Sequence, residues 1–458
     1  MTKSTEPVID IDAPIQLDHT TFVDYAFEHW LDSLKAGTKP KTLCLLGPPG
    51  IGKSSTAYAI QEKMTSYVRE HPEIIFGVKT VEEAIVLLEE ARAQEVKDKF
   101  YAEVVAGKLA VDDYEQRIEF VISHFKPLTK EDVGAFAEIL DFSSKLPEDL
   151  GGLPFRSADG FTDYCPQRWV AKLCKRFAFG VYVQDDLPAA PKAMQVAGRQ
   201  SALERRIHEN CFANGVLVLV TGNRRQDKSA ASALPAHFLN SVTLMTIALT
   251  LEEWKKWYGR QKGLDPVVTA FLSWKPGLLS ELPTDATDKL GAFATPRQWA
   301  SLGAQYVTAE KDSTVLLAVA SGLIGKANAL TFCSFVEIRS KLVPPEQVLD
   351  DPRGALPDPE KMLDEPSKRC AMAMALGDHA AHRWTKGTGK RRDETPVKLF
   401  EALAHCSAAG DEYSAVGVQS FLDNGGDLTA LARVARRAKT DPVIGRLLDH
   451  VKHAMLGV

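Results

Sequence analysis

Thr42-Leu43-Cys44-Leu45-Leu46-Gly47-Pro48-Pro49-Gly50-Ile51-Gly52-Lys53-Ser54-Ser55 is an apolar run that ends in glycine, turns through a glycine-rich stretch and opens with Lys-Ser into a segment of helical character. It is the G-x-x-x-x-G-K-[ST] phosphate loop in the setting that pattern requires, a strand before and a helix after. Glycines let backbone N–H groups close around phosphate oxygens, and a helix N-terminus adds partial positive charge. Lys53 is expected to reach the β- and γ-phosphates of a nucleoside triphosphate, and the Ser54 hydroxyl to hold Mg²⁺. The candidate nucleotide-binding residues are Gly47, Pro48, Pro49, Gly50, Ile51, Gly52, Lys53, Ser54 and Ser55. The bland alternative is a glycine-rich turn.

Hydrolysis needs more than this loop: a carboxylate for the metal and a group that orients or deprotonates water. Val181-Tyr182-Val183-Gln184-Asp185-Asp186 places two acids at the end of an apolar strand. Ligands of parallel sheets bind at such strand ends. Asp185 is the candidate to hold Mg²⁺, directly or through a bound water, and Asp186 the candidate base, against the plainer reading of a solvated turn before Pro188. Val216–Val220 is a second buried strand, and it ends at Thr221-Gly222-Asn223. An amide there holds a water or a γ-phosphate oxygen without carrying charge, although Asn is also an ordinary turn residue.

The apolar runs Phe179–Val183, Val216–Val220 and Val242–Ile247, alternating with helical patterns, predict a parallel sheet covered on both faces. Phe22, Ala26, Trp30 and Leu34, at steps of four, predict a helix within residues 1–40. A core spans 41–248, and Thr80-Val81-Glu82-Glu83 reads as a capping box opening a helical insertion at about 80–135. A helical lid is expected over 249–340, a mostly irregular linker rich in Pro, Asp and Gly over 341–395, and a C-terminal helical extension over 396–458. No internal repeat or low-complexity tract is evident.

The 458 residues suffice for two or three domains, and 45% hydrophobic with 25% charged residues is ordinary globular composition. No apolar run is long enough to cross a membrane. Met1-Thr2-Lys3-Ser4-Thr5-Glu6 lacks a signal-peptide core, so a cytoplasmic protein is expected. Seven scattered cysteines without C-x-x-C spacing point to reduced thiols, not to a zinc site. A net charge of −5 gives no bulk mark of a nucleic-acid binder. The run Thr385-Lys386-Gly387-Thr388-Gly389-Lys390-Arg391-Arg392 and the cluster Arg433, Arg436, Arg437 and Lys439 are local basic features. A mobile solvated loop and complementation of a helix dipole account for them as readily as phosphate contacts do. His379 and His382 lack a third metal ligand, and Trp254, Trp257 and Trp274 fit packing.

Taken in order, Gly47–Ser54, Glu148-Asp149-Leu150-Gly151-Gly152-Leu153-Pro154, Gly180–Gln195, Val220-Thr221-Gly222-Asn223-Arg224, Leu234–Ser241 and Ala294-Thr295-Pro296-Arg297-Gln298-Trp299 resemble the AAA+ ATPases, in particular the MoxR-like branch, over roughly residues 40 to 340. The resemblance implies a P-loop α/β fold with a five-stranded parallel sheet between helices, followed by the lid. It implies Asp185 as the Mg²⁺ acid, Asn223 as a first sensor and Arg297 as a second sensor touching the γ-phosphate. It also implies a hexameric ring of identical chains that hydrolyses ATP and remodels a protein partner in a chaperone-like way, often one with a von Willebrand factor A-type domain. Two positions depart from the family. Asp186 stands where a glutamate is usual, and Ser241 where an arginine finger is usual, a group worth about 10³–10⁵ in rate. Arg224 and Arg225 are the nearest basic substitutes, or a solvated loop pair. The alternatives are an ATP-gated scaffold with weak hydrolysis and, from the C-terminal basic residues alone, a DNA-directed motor or loader.

Overall fold

Six strands pair into one parallel sheet, in a computed structural model that describes residues 16–105, 111–156, 160–224, 234–256, 265–281, 291–406, 412–423 and 425–456. The chain divides into two units, Met1–Thr250 and Leu251–Val458. In the first unit the strands are β1 (Gln16–Leu17), β2 (Leu43–Leu46), β3 (Phe136–Asp141), β4 (Phe179–Asp185), β5 (Gly215–Gly222) and β6 (Thr243–Ile247). Their order across the sheet is β1-β6-β2-β5-β4-β3. Every residue of β5 is buried, as is β4 up to Gln184, which explains their unbroken apolar character. The expected count of five strands is corrected to six. The additional strand pairs only Gln16 with Thr246 and Leu17 with Ile247, too short a segment to leave a sequence pattern.

The order decides where a site can form. The chain leaves β2 for the far edge at β3, and leaves the neighbouring β5 for β6 on the other side. With right-handed crossovers, connections running to opposite edges pass over opposite faces of the sheet. The carboxyl ends of β2 and β5 therefore flank a crevice of the kind in which parallel sheets bind ligands.

Helix α1 (His19–Lys35) buries Phe22, Ala26 and Trp30 on one stripe, and the Trp30 indole N–H donates to the Gly215 carbonyl at 2.8 Å. Helix α2 (Thr56–Glu70) follows the loop. The insertion consists of helices Val81–Val105 and Val111–Ser123, and the first opens with reciprocal Thr80 and Glu83 hydrogen bonds of 3.2 Å. Two small antiparallel hairpins, Leu153–Arg156 with Thr162–Cys165 and Arg206–Ile207 with Asn210–Cys211, have no counterpart in the sequence reading.

Arg205 ties this unit together. It sits at φ 55°, and its buried guanidinium donates to the carbonyls of Pro40 at 3.3 Å, Ala213 at 3.1 Å and Val216. Burial pulls its pKa down to about 10, because carbonyls and no carboxylate surround it among the described residues. Arg205→Ala strands these acceptors away from water. We expect a loss of about 3 kcal/mol of unfolding free energy, read as a lower urea midpoint at unchanged slope.

The described part of the second unit is helical. Phe271, Trp299, Phe332 and Phe335 pack ring against ring, with centroids 5.3–5.6 Å from Phe271. The expectation of an irregular linker over 341–395 is overturned. Helices Pro345–Asp350, Pro352–Ala355, Pro359–Met362, Pro366–Lys386 and Gly389–Cys406 occupy most of it. Each of the first four begins with a proline, which has no N–H to lose at that position and whose fixed φ suits helix entry. Asp351 and Asp358 cap the amides of Gly354 and Lys361. The absence of a repeat is corrected too: Pro-x-x-x-Leu-x-Asp/Glu recurs at 345, 352 and 359, and its leucines, Leu349, Leu356 and Leu363, are all buried in one core.

Candidate nucleotide site

The loop Gly47–Ser55 leaves β2 at the crevice. Gly47 N–H donates to the Gly222 carbonyl at 3.2 Å, and a Cβ at Gly47 would come within 2.9 Å of both Ile51 and Ile247. Gly50 (φ 74°) and Gly52 (φ 90°) take left-handed conformations that suit glycine. The turn tightens through Ser55 N–H to Gly52 and Thr56 N–H to Lys53, and delivers the chain into α2. The amides of Gly50, Ile51, Gly52 and Ser54 donate to no acceptor among the described residues. From the other side, buried His19 donates its Nε2–H to the Ile51 carbonyl at 2.7 Å, which fixes the proton on that nitrogen.

Lys53, 8% exposed, donates from Nζ to the carbonyls of Gly47 (3.0 Å) and Pro48 (2.8 Å) and to Asn223 Oδ1 (2.8 Å). Ser54 Oγ donates to Asp185 Oδ1 at 2.6 Å, and the Thr221 hydroxyl donates to the same oxygen. Loop, β4 and β5 thus converge on one carboxylate. β5 lies between β2 and β4, which is why Thr221 and Asn223 reach both the lysine and the acid.

Asp186 follows at φ 56°, ψ 34°, an uncommon conformation for a residue with a side chain. Its turn is pressed against β5, where a Cβ on Gly222 would lie 2.3 Å from Pro188. Its carboxyl pKa is raised, first by burial, then by the neighbouring Asp185 charge and by Asp141. Lys53 and a hydrogen bond from the Asn223 backbone oppose the rise. Asp141 ends β3 in register with Asp185. Burial pushes the Asp141 pKa up, but hydrogen bonds from Ser143 and Ser144 outweigh that and leave it lowered.

Asn223 and Arg224 are half-buried just beyond β5, whereas Arg225 lies outside the described residues. Arg297 is exposed at the second position of helix Pro296–Ala309, in the other unit. Ser241 Oγ donates to the His237 carbonyl at 2.7 Å. Thr221, Asp141 and His19 were not singled out from the sequence. Thr221 stood inside the Val-Thr-Gly-Asn-Arg run, but only register and strand order reveal what Thr221 and Asp141 lie beside.

The basic run at 385–392 is not a loop except at Gly387 and Thr388, because Thr385 and Lys386 end helix Pro366–Lys386 and helix Gly389–Cys406 takes up Lys390, Arg391 and Arg392. Arg391 pairs with Glu346 and Asp350, Lys390 with Glu394, and Arg433 with Asp393. Arg392 and Arg433 lie over the Trp384 ring at 4.8 and 5.5 Å. Trp254 is buried, its indole N–H on the Pro296 carbonyl at 2.9 Å, while Trp257 lies outside the described residues.

The donor set fits a phosphate chain accompanied by a small hard dication. Amide donors and an ammonium face anionic oxygens, and a hydroxyl beside a carboxylate is the sparse oxygen set that Mg²⁺ accepts while keeping waters and phosphate oxygens. No family model matches this chain, and no curated protein matches it.

Proposed function

We propose that the protein binds ATP with Mg²⁺ and hydrolyses it to ADP and phosphate, as an AAA+ protein of the MoxR-like kind. The observation that carries this reading is the meeting of Ser54 and Thr221 on Asp185, beside Lys53 held against Asn223. Loop amides and Lys53 take the β- and γ-phosphates, while Ser54 and Asp185 hold Mg²⁺, which neutralises charge on the phosphate oxygens. Asp186 accepts a proton from the attacking water, whose oxygen bonds to the γ-phosphorus as the bond to the β,γ-bridging oxygen breaks and ADP leaves. Asn223 orients that water. Arg297, Arg224 and Arg225 are the candidates to meet charge developing on the γ-phosphate, within a subunit or across a ring of identical chains.

A remodelling role, on a protein partner such as one with a von Willebrand factor A-type domain, draws support from the hairpin Leu153–Arg156/Thr162–Cys165. Leu153 is 73% exposed, and Phe155 is exposed beside it. Contiguous exposed apolar side chains mark surfaces that contact other chains. A second reading, an ATP-gated scaffold with weak hydrolysis, is favoured by Asp186 itself: its carboxylate is one methylene shorter than glutamate, and its raised pKa keeps it protonated over a wider pH range.

Calorimetric titration with ATP tests the reading common to both. Wild type is expected to bind one nucleotide per chain, at least tenfold more tightly with Mg²⁺ than with EDTA. Asp185→Asn is expected to lose most of that metal dependence. Equal affinity with and without Mg²⁺ in wild type would remove the metal site, and no binding at all would remove the nucleotide site.

A further inference from the structure

At the end of the sheet opposite the phosphate loop, a cavity of about 770 Å³ lies between helix Val81–Val105 and the first residues of β3 and β4. Its floor is aromatic. Phe76, Phe136, Phe177 and Phe179 line it, with Phe76 centred 5.3 Å from Phe177 and 6.3 Å from Phe179. Around this floor three cations rest on rings. The Arg92 guanidinium is 3.7 Å from the Phe125 centroid, Lys172 Nζ is 5.0 Å from Phe136, and the Arg176 guanidinium is 5.0 Å from Phe177. Such contacts occur about once in 70–80 residues, so three on one cavity is a concentration that packing alone does not require.

The lining holds five lysines and arginines against the three acids Glu95, Asp98 and Asp132, so a surplus of positive charge remains. Glu95 pairs with Lys175 at 2.7 Å, bridging the insertion helix to the segment before β4, and Glu138 pairs with Lys172 at 3.1 Å. Among the described residues, Arg92 and Arg176 have no carboxylate within ion-pair distance. Stacking already restricts both guanidinium groups, so little further side-chain freedom is lost when an anion docks on them.

We propose that this cavity is a binding site for a small organic anion with a flat apolar body, an aromatic carboxylate or sulfonate. The rings of the floor take the body, and Arg92 and Arg176 take the charged head. The volume falls within the roughly 300–1,000 Å³ typical of small-molecule sites. An inorganic phosphate would leave the aromatic floor unused, and a cation would meet like charge. The site shares no residue with the phosphate loop and does not depend on the nucleotide reading.

The probe is 1-anilinonaphthalene-8-sulfonate, titrated calorimetrically into the full chain without nucleotide. One equivalent is expected to bind with micromolar Kd. Its uncharged analogue N-phenyl-1-naphthylamine is expected to bind at least tenfold more weakly. Arg176→Glu, at an exposed position, is expected to weaken sulfonate binding at least tenfold without moving the melting temperature. Ala91→Trp, which puts an indole into the cavity from its lining, is expected to weaken it further. No saturable binding, equal affinity for the uncharged analogue, or unchanged affinity in Arg176→Glu would each overturn the proposal. The Arg176→Glu result stands even if Ala91→Trp fails to fold.

Discussion

Phosphate release from ATP by Lys53→Ala is expected to fall about 10²- to 10³-fold below wild type, the scale seen when one preorganised donor to a developing oxyanion is removed. The structure gives the reason. The Lys53 ammonium is buried against two loop carbonyls and Asn223 Oδ1, neutral oxygens that an anionic phosphate chain outcompetes. Lys53→Arg is not a conservative control, because the planar guanidinium is larger and points its donors in a fixed fork. Turnover should be followed with Mg²⁺ in excess, alongside a melting curve for each variant. Equal release from wild type and a folded Lys53→Ala would refute enzymatic hydrolysis at this site.

Asp186→Asn separates catalysis from stability. As a base, Asp186 works only when ionised, and its pKa is raised by burial and by the charge of Asp185. Turnover in wild type should therefore decline on acidification at a pH above the ordinary aspartate range. Asp186→Asn, with no base, is expected to lose about 10²- to 10⁴-fold and the acid limb with it. Stability runs the opposite way. A carboxyl whose folded pKa exceeds its unfolded value binds more protons in the native state, so stability falls as pH rises between the two values. The penalty is complete above the folded pKa and absent below the unfolded one. Asp186→Asn should accordingly melt higher than wild type at pH 7.5, an advantage that vanishes below about pH 3.5. A variant that melts lower at neutral pH would show that ionised Asp186 stabilises the fold.

How much of this was legible follows from the physics of each element. β4 and β5 declared themselves because strands buried on both faces must be apolar throughout. The loop declared itself because its glycines and Lys-Ser answer a local conformational demand. β1 did not, since two residues carry no period. The meeting of Ser54, Asp185 and Thr221 was half visible: the residue types stood at strand ends, but their convergence depends on β5 lying between β2 and β4. Asp141 entered the neighbourhood of Asp186 through register alone. The segment after Pro344 was misjudged because prolines read as breakers, whereas here Pro345, Pro352, Pro359 and Pro366 each start a helix.

Those prolines have one more implication. Every seventh residue from Pro345 to Pro359 starts another short helix, and each step contributes one leucine to the same interior. Excising or duplicating a complete step leaves the remaining leucines in phase, whereas losing a single residue would throw every later one out of alignment. A change of length in whole units thus keeps prolines and leucines in step, although each unit removed also takes one side chain out of the core those leucines share.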